Sequence, residues 1–360
     1  MVYALPVIWH GPCCIDMTNS AQRIDLQIYS NKPGGAMAKL VKKFEEMSKK
    51  DIQEAGGKAA NLGELTHAGF NVPPGFCVTS DALPYLIKEC GLQPRIDEIV
   101  AGFDYEDFGG MDEKTAEIRE LISAVEIPVD LHQEISEAVK FLEDPEPPFV
   151  AVRSSVAVKD SAISSFPGMM DTYHYLKGEE EIIEHVRKCW ASLWTTRATL
   201  TRHHKNVEHH LGLIAPIVQK MVHSEIAGVL FMANPISSNR EEIVIESNWG
   251  LGESVVSGKS MNDFYLLSKS PLKIKDKKIS KKTLIITFDE EKGYGRKEMA
   301  VAPDKMDAVT LSDGQAEELG RIGLKIDELF GAPQDIEWAY AEGDLYILQS
   351  RNIRTLKAEG

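Results

Sequence analysis

The residues best suited to chemistry lie in one segment, Asp335 to Arg351, in which polar and apolar side chains alternate. The alternation predicts two antiparallel strands, with Asp335 and Glu337 on one face and apolar side chains on the other. If Glu342-Gly343-Asp344 forms a three-residue loop, Glu337 lies opposite Gln349 and Asp335 opposite Arg351. Carboxylate and amide oxygens suit Mg²⁺ and a guanidinium suits phosphate, so the hairpin predicts a site for a magnesium-bound phosphate. A hairpin with ordinary solvated charges is the alternative.

Two cations earlier in the chain could bind phosphate groups. Lys58 follows Gly56-Gly57, where a helical pattern begins, so its ammonium group and nearby backbone N–H groups could face a phosphate. Arg153 follows the apolar segment 149–152, which we predict to be a buried strand that ends there, so the guanidinium would project together with the hydroxyls of Ser154-Ser155. Each has a structural alternative: a solvated lysine beside a glycine turn, and an arginine in a structural salt bridge.

Three further segments combine small or polar residues with a possible ligand. The loop 164–172 contains Gly168 and several hydroxyl groups and could cover phosphates, or it could simply connect two elements. Gln219 is the polar residue of an apolar strand, 216–222, which could line an adenine pocket or belong to the core. Glu253 ends a glycine turn and could reach a ribose or a metal-bound water, although acidic residues are also common in turns.

Periodicity divides the chain into regions. Residues 1–45 are expected to form an extension. Helices and short strands follow, including one long helix from about Glu179 to Lys205, and strands dominate from Pro216 onward, interrupted by a helix at about 313–330. We therefore expect an α+β architecture with lobes at 46–210 and 211–360 and a ligand cleft between them.

Composition limits the class of function. The formal net charge of −15 argues against a general nucleic-acid or anionic-membrane surface, since both need a concentrated basic face. No apolar segment reaches the roughly 20 residues of a membrane span. The five cysteines contain no Cys-x-x-Cys pair, so neither a disulfide framework nor a zinc site is predicted. A reducing cytoplasm is the expected location.

Several of these segments together form a pattern. Five motifs occur in order along the chain: Gly56–Glu64, Val150–Ser155, Ser165–Thr172, Asn248–Glu253, and Gln334–Glu337 with Gln349–Arg351. Together they resemble the nucleotide-binding part of the phosphoenolpyruvate synthase and pyruvate phosphate dikinase family. The resemblance covers roughly residues 45–357, which is nearly the whole chain beyond the extension.

The resemblance implies an ATP-grasp fold that binds ATP and Mg²⁺. Mg²⁺ would be held by Glu337 and Gln349. The residues that support catalysis would be Lys58 and Arg153, both in contact with the ATP phosphates, together with Asp335, Arg351 and Glu253. The loop closing over the triphosphate and the strand lining the adenine pocket would contribute Gly168, Met169, Met170, Asp171, Thr172, Gln219, Met221 and Val222.

Members of this family pass a phosphoryl group from ATP to a histidine on a separate swivelling domain and release AMP and phosphate. None of the ten histidines here lies in the sequence setting of that carrier, so we expect the carrier on a partner subunit. The ATP-binding subunit of phenylphosphate synthase resembles this part alone, which makes phenol phosphorylation the expected activity. The alternatives are a fragment of a phosphoenolpyruvate synthase, a self-contained phosphotransferase for a small molecule such as an antibiotic, and a non-catalytic ATP-binding module.

Overall fold

The computed structural model describes residues 39–143, 148–158, 172–209, 212–353 and 356. Short 3₁₀ turns at Phe44–Glu46 and Lys49–Asp51 precede the first helix. The elements of the first part are β1 (Val41–Lys43), α1 (Ile52–His67), β2 (Gly75–Val78), α2 (Ala82–Glu89), α3 (Gln93–Ala101), α4 (Phe108–Ala124), α5 (Val129–Leu142), β3 (Val150–Val158), β4 (Thr172–Leu176), α6 (Glu179–Ser192), α7 (Thr196–His204) and β5 (Gly212–Lys220).

The second part is richer in strands. Its elements are β6 (Ile226–Phe231), β7 (Glu242–Trp249), α8 (Glu253–Val256), β8 (Asp263–Ser268), β9 (Lys273–Lys278), β10 (Leu284–Phe288), β11 (Arg296–Ala300), α9 (Pro303–Met306), α10 (Asp313–Phe330), β12 (Gln334–Ala341) and β13 (Asp344–Asn352). None of the helices in the described ranges combines the length and the apolar composition needed to cross a bilayer.

The first sheet has the strand order β1-β2-β5-β3-β4, and its neighbouring strands are antiparallel. Successive side chains of a strand leave opposite faces, so β2 serves two cores. Phe76 and Val78 pack with helices α2 to α6, whereas Cys77 packs against Ala59 and Leu62 of α1 on the opposite face. The sheet is therefore covered by helices on both faces.

The second sheet has the order β13-β12-β6-β7-β8-β9, again with antiparallel neighbours, and β10 and β11 form a separate ribbon. Helix α10 covers one face of the larger sheet, where Leu319 and Ile326 pack with Ile336 and Trp338. A hydrogen bond links the two halves, because Asn61 of α1 donates to the carbonyl of Ser350 in β13 at 2.7 Å.

The expected α+β class is confirmed, and most predicted strands and the helix at 313–330 are present. The long helix expected over residues 179–205 is wrong, because two helices with a break at Leu193–Thr195 occupy that range. Thr195 has an extended backbone, and its side chain accepts a hydrogen bond from the N–H of Ala198 at 3.2 Å. This threonine is an N-cap, and it starts a new helix where the apolar pattern alone suggested a continuous one.

The division into lobes stays a prediction, and the sheets cross its expected boundaries. Strand β5, expected in the second lobe, pairs along its whole length with β3 of the first sheet. Residues 41–43, expected in the extension, form β1 of that sheet. The predicted position of Arg153 at the end of its strand is wrong. Strand β3 continues to Val158, so Arg153 lies within it. Neighbouring side chains alternate, so the Ser154 hydroxyl leaves the face opposite the guanidinium, and Ser155, on the same face, is buried.

Candidate functional site

A cavity of about 610 Å³ is lined by strands of both large sheets. Its wall contains ten of the residues predicted from the sequence: Lys58, Arg153, Thr172, Gln219, Met221, Val222, Glu253, Glu337, Gln349 and Arg351. Asp335 lies beside the cavity, buried under Arg351. The predicted loop residues Gly168, Met169, Met170 and Asp171 lie outside the described residues. Side chains from seven separate segments thus converge on one cavity.

The C-terminal hairpin has the predicted pairs but a different turn. Glu337 pairs with Gln349 and Asp335 with Arg351, as expected, but Ala341 pairs with Asp344, so the loop has only two residues, Glu342 and Gly343. Both have positive φ, 53° and 87°, as a tight turn of this hand requires. A bulge at Leu348 restores the register, because Trp338 pairs with Ile347 while the preceding Glu337 pairs with Gln349. The turn is one residue shorter than predicted and the bulge adds one residue, so the predicted pairs and the polar face are preserved.

Arg153 joins this hairpin to the first sheet. Its Nη2 donates to Glu337 Oε2 at 2.9 Å and to Gln349 Oε1 at 2.7 Å. Its Nη1 donates to Gln219 Oε1 and to the carbonyl of Leu348, both at 3.3 Å. The side chain is only 13% exposed, so the guanidinium is held on several sides by acceptors.

These contacts test whether the hairpin could hold a metal. One nitrogen of Arg153 lies within hydrogen-bond distance of both Glu337 Oε2 and Gln349 Oε1, so two oxygens already converge on a single cationic group. Hard oxygen ligands of this kind suit Mg²⁺, which is commonly bound by one or two side chains and completed by phosphate oxygens and water. No group of three or more His, Cys, Asp or Glu side chains in the described ranges could hold a metal ion. The residues fit Mg²⁺ if a phosphate ligand completes its coordination.

Arg351 is oriented by a carboxylate. Its Nε and Nη2 donate to Asp335 Oδ2 at 2.8 and 2.7 Å. Burial raises the pKa of Asp335, and the charge and hydrogen bond of Arg351 act in the opposite direction. The arginine side chain itself is 55% exposed, which leaves part of the guanidinium accessible at the cavity wall. Asp335 therefore positions Arg351 without lining the cavity.

Lys58 reaches the cavity because helix α1 is kinked. Gly56 has a φ of 72° inside the helix, so the regular turns restart at the residues that follow, as the sequence predicted. A side chain at Gly56 would collide with Ser155 and the carbonyl of Val156, so glycine is required there. Lys58 Nζ donates to the carbonyl of Ser154 at 3.2 Å. Burial, together with the positive charges of Arg153 and Arg351, lowers the pKa of Lys58 to about 8.

Gln219 and Glu253 have partners that the sequence did not reveal. Gln219 is buried, accepts from Arg153, and donates through Nε2 to the carbonyl of Pro73 at 3.3 Å. Glu253 begins α8, and its Oε1 accepts from Arg296 Nη2 at 2.9 Å. Its other oxygen, Oε2, is buried and has no hydrogen-bond partner among the described residues. Glu253 Oε2 has lost its hydration without gaining a hydrogen bond, which is unfavourable unless a ligand supplies a donor.

Arg296 and His174 are among the cavity residues that sequence reasoning missed. Arg296 lies in a short polar strand, β11, whose composition resembles many solvated strands. His174 lies two residues after Thr172, in a strand that otherwise carries Tyr173, Tyr175 and Leu176. A lone histidine in such a strand, directly after the predicted loop, was the available signal.

The charge balance of the wall favours an anion. Its basic residues are Lys58, Arg153, Lys220, Arg296 and Arg351, and its carboxylates are Glu253 and Glu337. Clefts lined mainly by one sign of charge concentrate ligands of the opposite sign. In a chain with a net charge of −15, this local excess of cations indicates a polyanionic ligand such as a polyphosphate.

Comparisons with known proteins agree with this geometry. A family model described as "Pyruvate phosphate dikinase, AMP/ATP-binding domain" matches residues 52–360. The chain is 40% identical over 362 residues to the phosphoenolpyruvate synthase of Pyrococcus furiosus, covering 89% of this chain and 44% of that protein. It is 39% identical over 321 residues to the rifampicin phosphotransferase of Bacillus cereus, covering 89% of this chain and 36% of that protein.

The chain spans less than half the length of the curated relatives it matches. The resemblance stated from five short motifs is confirmed across most of the sequence. Because the family match includes every described residue of the cavity wall, the conclusion about membership applies to the site as well as the fold. The chain belongs to the family of pyruvate phosphate dikinase AMP/ATP-binding domains.

Proposed function

We propose that this chain is the ATP-binding part of a phosphotransferase that converts ATP to AMP and phosphate and phosphorylates a histidine on a partner subunit. The observation that carries the proposal is the convergence of Lys58, Arg153 and Arg351 with Glu337 and Gln349 on one cavity. The proposed fold is an ATP-grasp, with lobes at 46–210 and 211–360 and the nucleotide between them.

In the proposed site the cations act on the phosphates. Phosphoryl transfer needs little covalent help from a protein, so its barrier falls mainly through in-line positioning and neutralisation of charge. Lys58 and Arg153 would contact the phosphates from the first sheet, and Arg351 would do so from β13. Glu337 and Gln349 would hold Mg²⁺, which when bound neutralises charge on the phosphate oxygens.

The remaining predicted residues would bind the rest of the nucleotide. Gln219, Met221 and Val222 supply a partly apolar wall at the end of β5, which suits an adenine base. Glu253 Oε2, the buried acceptor without a partner among the described residues, suits a ribose hydroxyl. Thr172 would add a hydroxyl at the end of the loop proposed to cover the triphosphate.

The proposed acceptor is phenol, in a phenylphosphate synthase, with the carrier histidine on another subunit. With a histidine carrier, the final acceptor would not need to bind in the nucleotide site. The part of the expected extension that precedes β1 is the proposed docking region for that partner. A second candidate function, direct phosphorylation of a small molecule, is favoured by the 39% identity to the rifampicin phosphotransferase.

The nucleotide product tests the proposal. The chain should be incubated with Mg-ATP and phenol, alone and together with the proteins encoded beside it, and the products separated by chromatography. We expect AMP and phosphate only when the histidine-bearing partner is present. Arg351→Ala should reduce that turnover by about 10²–10³-fold, the usual loss on removing one electrostatic donor from a reacting oxyanion.

Arg321→Ala is the matched control for this experiment. Arg321 lies in α10 and pairs with Glu317 outside the cavity, so turnover should stay unchanged. Product formation by the isolated chain would favour direct phosphorylation of a small molecule. Binding of Mg-ATP without turnover under any combination would favour a non-catalytic module, and near-normal turnover of Arg351→Ala would remove that residue from the proposed mechanism.

A further inference from the structure

Strand β4 is irregular where it passes the cavity. Val150 of β3 pairs with Leu176, but Val152 pairs with Tyr173, so two residues of β4, His174 and Tyr175, lie opposite the single residue between them. This arrangement is a β-bulge, and bulges next to functional sites commonly redirect one side chain. The residue whose face changes here is Leu176, which follows the bulge.

The bulge changes the face on which the following residues lie. Without it, Thr172, His174 and Leu176 would share one face of the strand. In the structure Leu176 packs in the main core, His174 lines the cavity with Thr172, and Tyr173 contacts both the core and the cavity. The change requires Tyr175 to adopt a φ of 57°, which is rare for a bulky residue. Strain of this kind is retained where the surrounding structure fixes it, and it occurs often at ligand sites.

Tyr175 is held in this conformation by packing. Its buried ring contacts Phe149 and Phe288, with ring centroids 5.8 and 4.8 Å apart, and it packs with Leu251 and Ile286. The aromatic contacts supply the surroundings that keep the backbone in place. The packed ring of Tyr175, the next residue, therefore fixes the backbone of His174 at the cavity wall.

The imidazole of His174 lies among charges but has an unused ring nitrogen. Its Nδ1 is buried and has no hydrogen-bond partner among the described residues. Burial, with the positive charges of Arg153 and Arg296, lowers the pKa of His174 to about 4, although Glu337 acts in the opposite direction. The ring is thus neutral near pH 7 and carries one donor and one acceptor. A histidine that served only the core would normally have its buried nitrogen paired.

We propose that His174 is a further nucleotide-binding residue whose Nδ1 hydrogen-bonds to the β- or γ-phosphate of bound Mg-ATP. The inference rests on the proposed function, since it needs ATP in this cavity. The position supports a phosphate over the base, because the flanking cations, Arg153 and Arg296, and the nearby Thr172 are groups that bind phosphate oxygens. The contact would satisfy a nitrogen that has no partner within the described ranges.

Calorimetric titration with the magnesium complex of AMP-PNP, a non-hydrolysable ATP analogue, tests the inference. His174→Leu should weaken its binding by about tenfold, the upper part of the range for one net hydrogen bond. AMP binding should change less than twofold, because AMP lacks the two outer phosphates. His174→Asn, whose amide lies near the place of Nδ1, should stay within about threefold of wild type, whereas His174→Gln, which reaches towards Nε2, should resemble the leucine variant.

His132→Leu is the control, since His132 is exposed on α5 far from the cavity wall. Wild-type affinity in both His174→Leu and His174→Gln would overturn the inference, and equal losses for AMP and AMP-PNP would overturn the assignment to the outer phosphates. If the leucine variant does not fold, the comparison of asparagine with glutamine decides. Failure of the wild type to bind AMP-PNP would overturn the proposed function itself, which separates the two results.

Discussion

Two ion pairs in this protein, Lys282 with Asp263 and Arg153 with Glu337, have similar chemistry and different surroundings. Lys282 and Asp263 are fully buried, with Nζ 2.6 Å from Oδ1. Ser280 donates its N–H to the same oxygen, and Thr310 donates its N–H and hydroxyl to Oδ2. Arg153 and Glu337 form the other pair at 2.9 Å, but their side chains are 13% and 31% exposed and face a cavity with more cations than carboxylates.

The difference indicates that the Lys282–Asp263 pair stabilises the fold, whereas the Arg153–Glu337 pair is available to a ligand. Both oxygens of Asp263 have partners within the protein, so no further group is needed. The cavity has an excess of positive charge, and three residues of its wall, His174, Glu253 and Trp338, each carry a buried polar atom without a partner among the described residues. Unpaired groups are costly unless a ligand satisfies them. The two pairs thus differ in the balance of charge around them and in whether nearby polar groups have hydrogen-bond partners.

The largest expected effect is a loss of stability on breaking the buried pair of Lys282 and Asp263. Lys282→Met should lower the free energy of unfolding by about 3–5 kcal/mol, because it leaves the charge of Asp263 buried without its counter-ion. Denaturant titration measures the loss. The double variant with Asp263→Asn should recover part of it, since the uncompensated charge is then removed as well. A loss below about 1 kcal/mol in the single variant would contradict the structural role of the pair.

Loss of the cation from the pair of Arg153 and Glu337 should change ligand binding. Arg153→Met should weaken binding of Mg-AMP-PNP by about tenfold or more, because a charge-assisted contact to phosphate is lost. The same change frees the oxygens of Glu337 and Gln349, so Mn²⁺ alone should bind more tightly. Calorimetry measures the first effect and electron paramagnetic resonance of free Mn²⁺ the second.

Opposite changes for the two ligands are the signature of an arginine that occupies the metal ligands in the free protein. Arg119→Met provides the control, because Arg119 bonds to Thr115 and to the carbonyl of Trp194 away from the cavity. Parallel losses of both ligands, or no change in Mn²⁺ binding, would show that Arg153 does not compete with a metal.

The smallest expected effect concerns Lys58, whose pKa is lowered to about 8 in the free protein. A bound polyphosphate stabilises the ammonium form and raises this pKa, so binding takes up a proton above pH 8. Affinity should therefore fall as the pH rises above 8, by at most about tenfold per pH unit. Titrations in buffers of different ionisation enthalpy measure the uptake, which should be absent in Lys58→Met. An affinity that is constant from pH 7 to 9.5 would contradict the assignment.

The sequence predicted the polar face of the hairpin because alternation and pairing are local. Asp335 with Arg351 and Glu337 with Gln349 were obtained correctly even though the turn was wrong, since the bulge at Leu348 cancels the missing loop residue. That agreement was partly a coincidence of two compensating features. Alternation specifies a face, whereas the length of a turn and the presence of a bulge depend on packing that one strand does not reveal.

The parts that could not be predicted depend on distant pairing. Arg153 was expected at the end of its strand, but β5 extends the pairing of β3 to Val158, and no local pattern near Arg153 indicates that partner. His174 is held at the cavity by the packing of its neighbour Tyr175 against Phe149 and Phe288, and Arg296 lies there because of a ribbon formed elsewhere in the chain. Side chains of this kind are identified from three-dimensional surroundings, since their own neighbours in sequence are ordinary.

One hydrogen bond spans the cavity region through helix α1. Asn61 belongs to the same helix as Lys58, and its bond to Ser350 connects that helix to the strand that carries Gln349 and Arg351. The same helix packs on the first sheet through Ala59 and Leu62, and Lys58 bonds to the carbonyl of Ser154 in β3. Helix α1 is thus in contact with both large sheets, so a nucleotide that enters the cavity would meet cations whose spacing is already set.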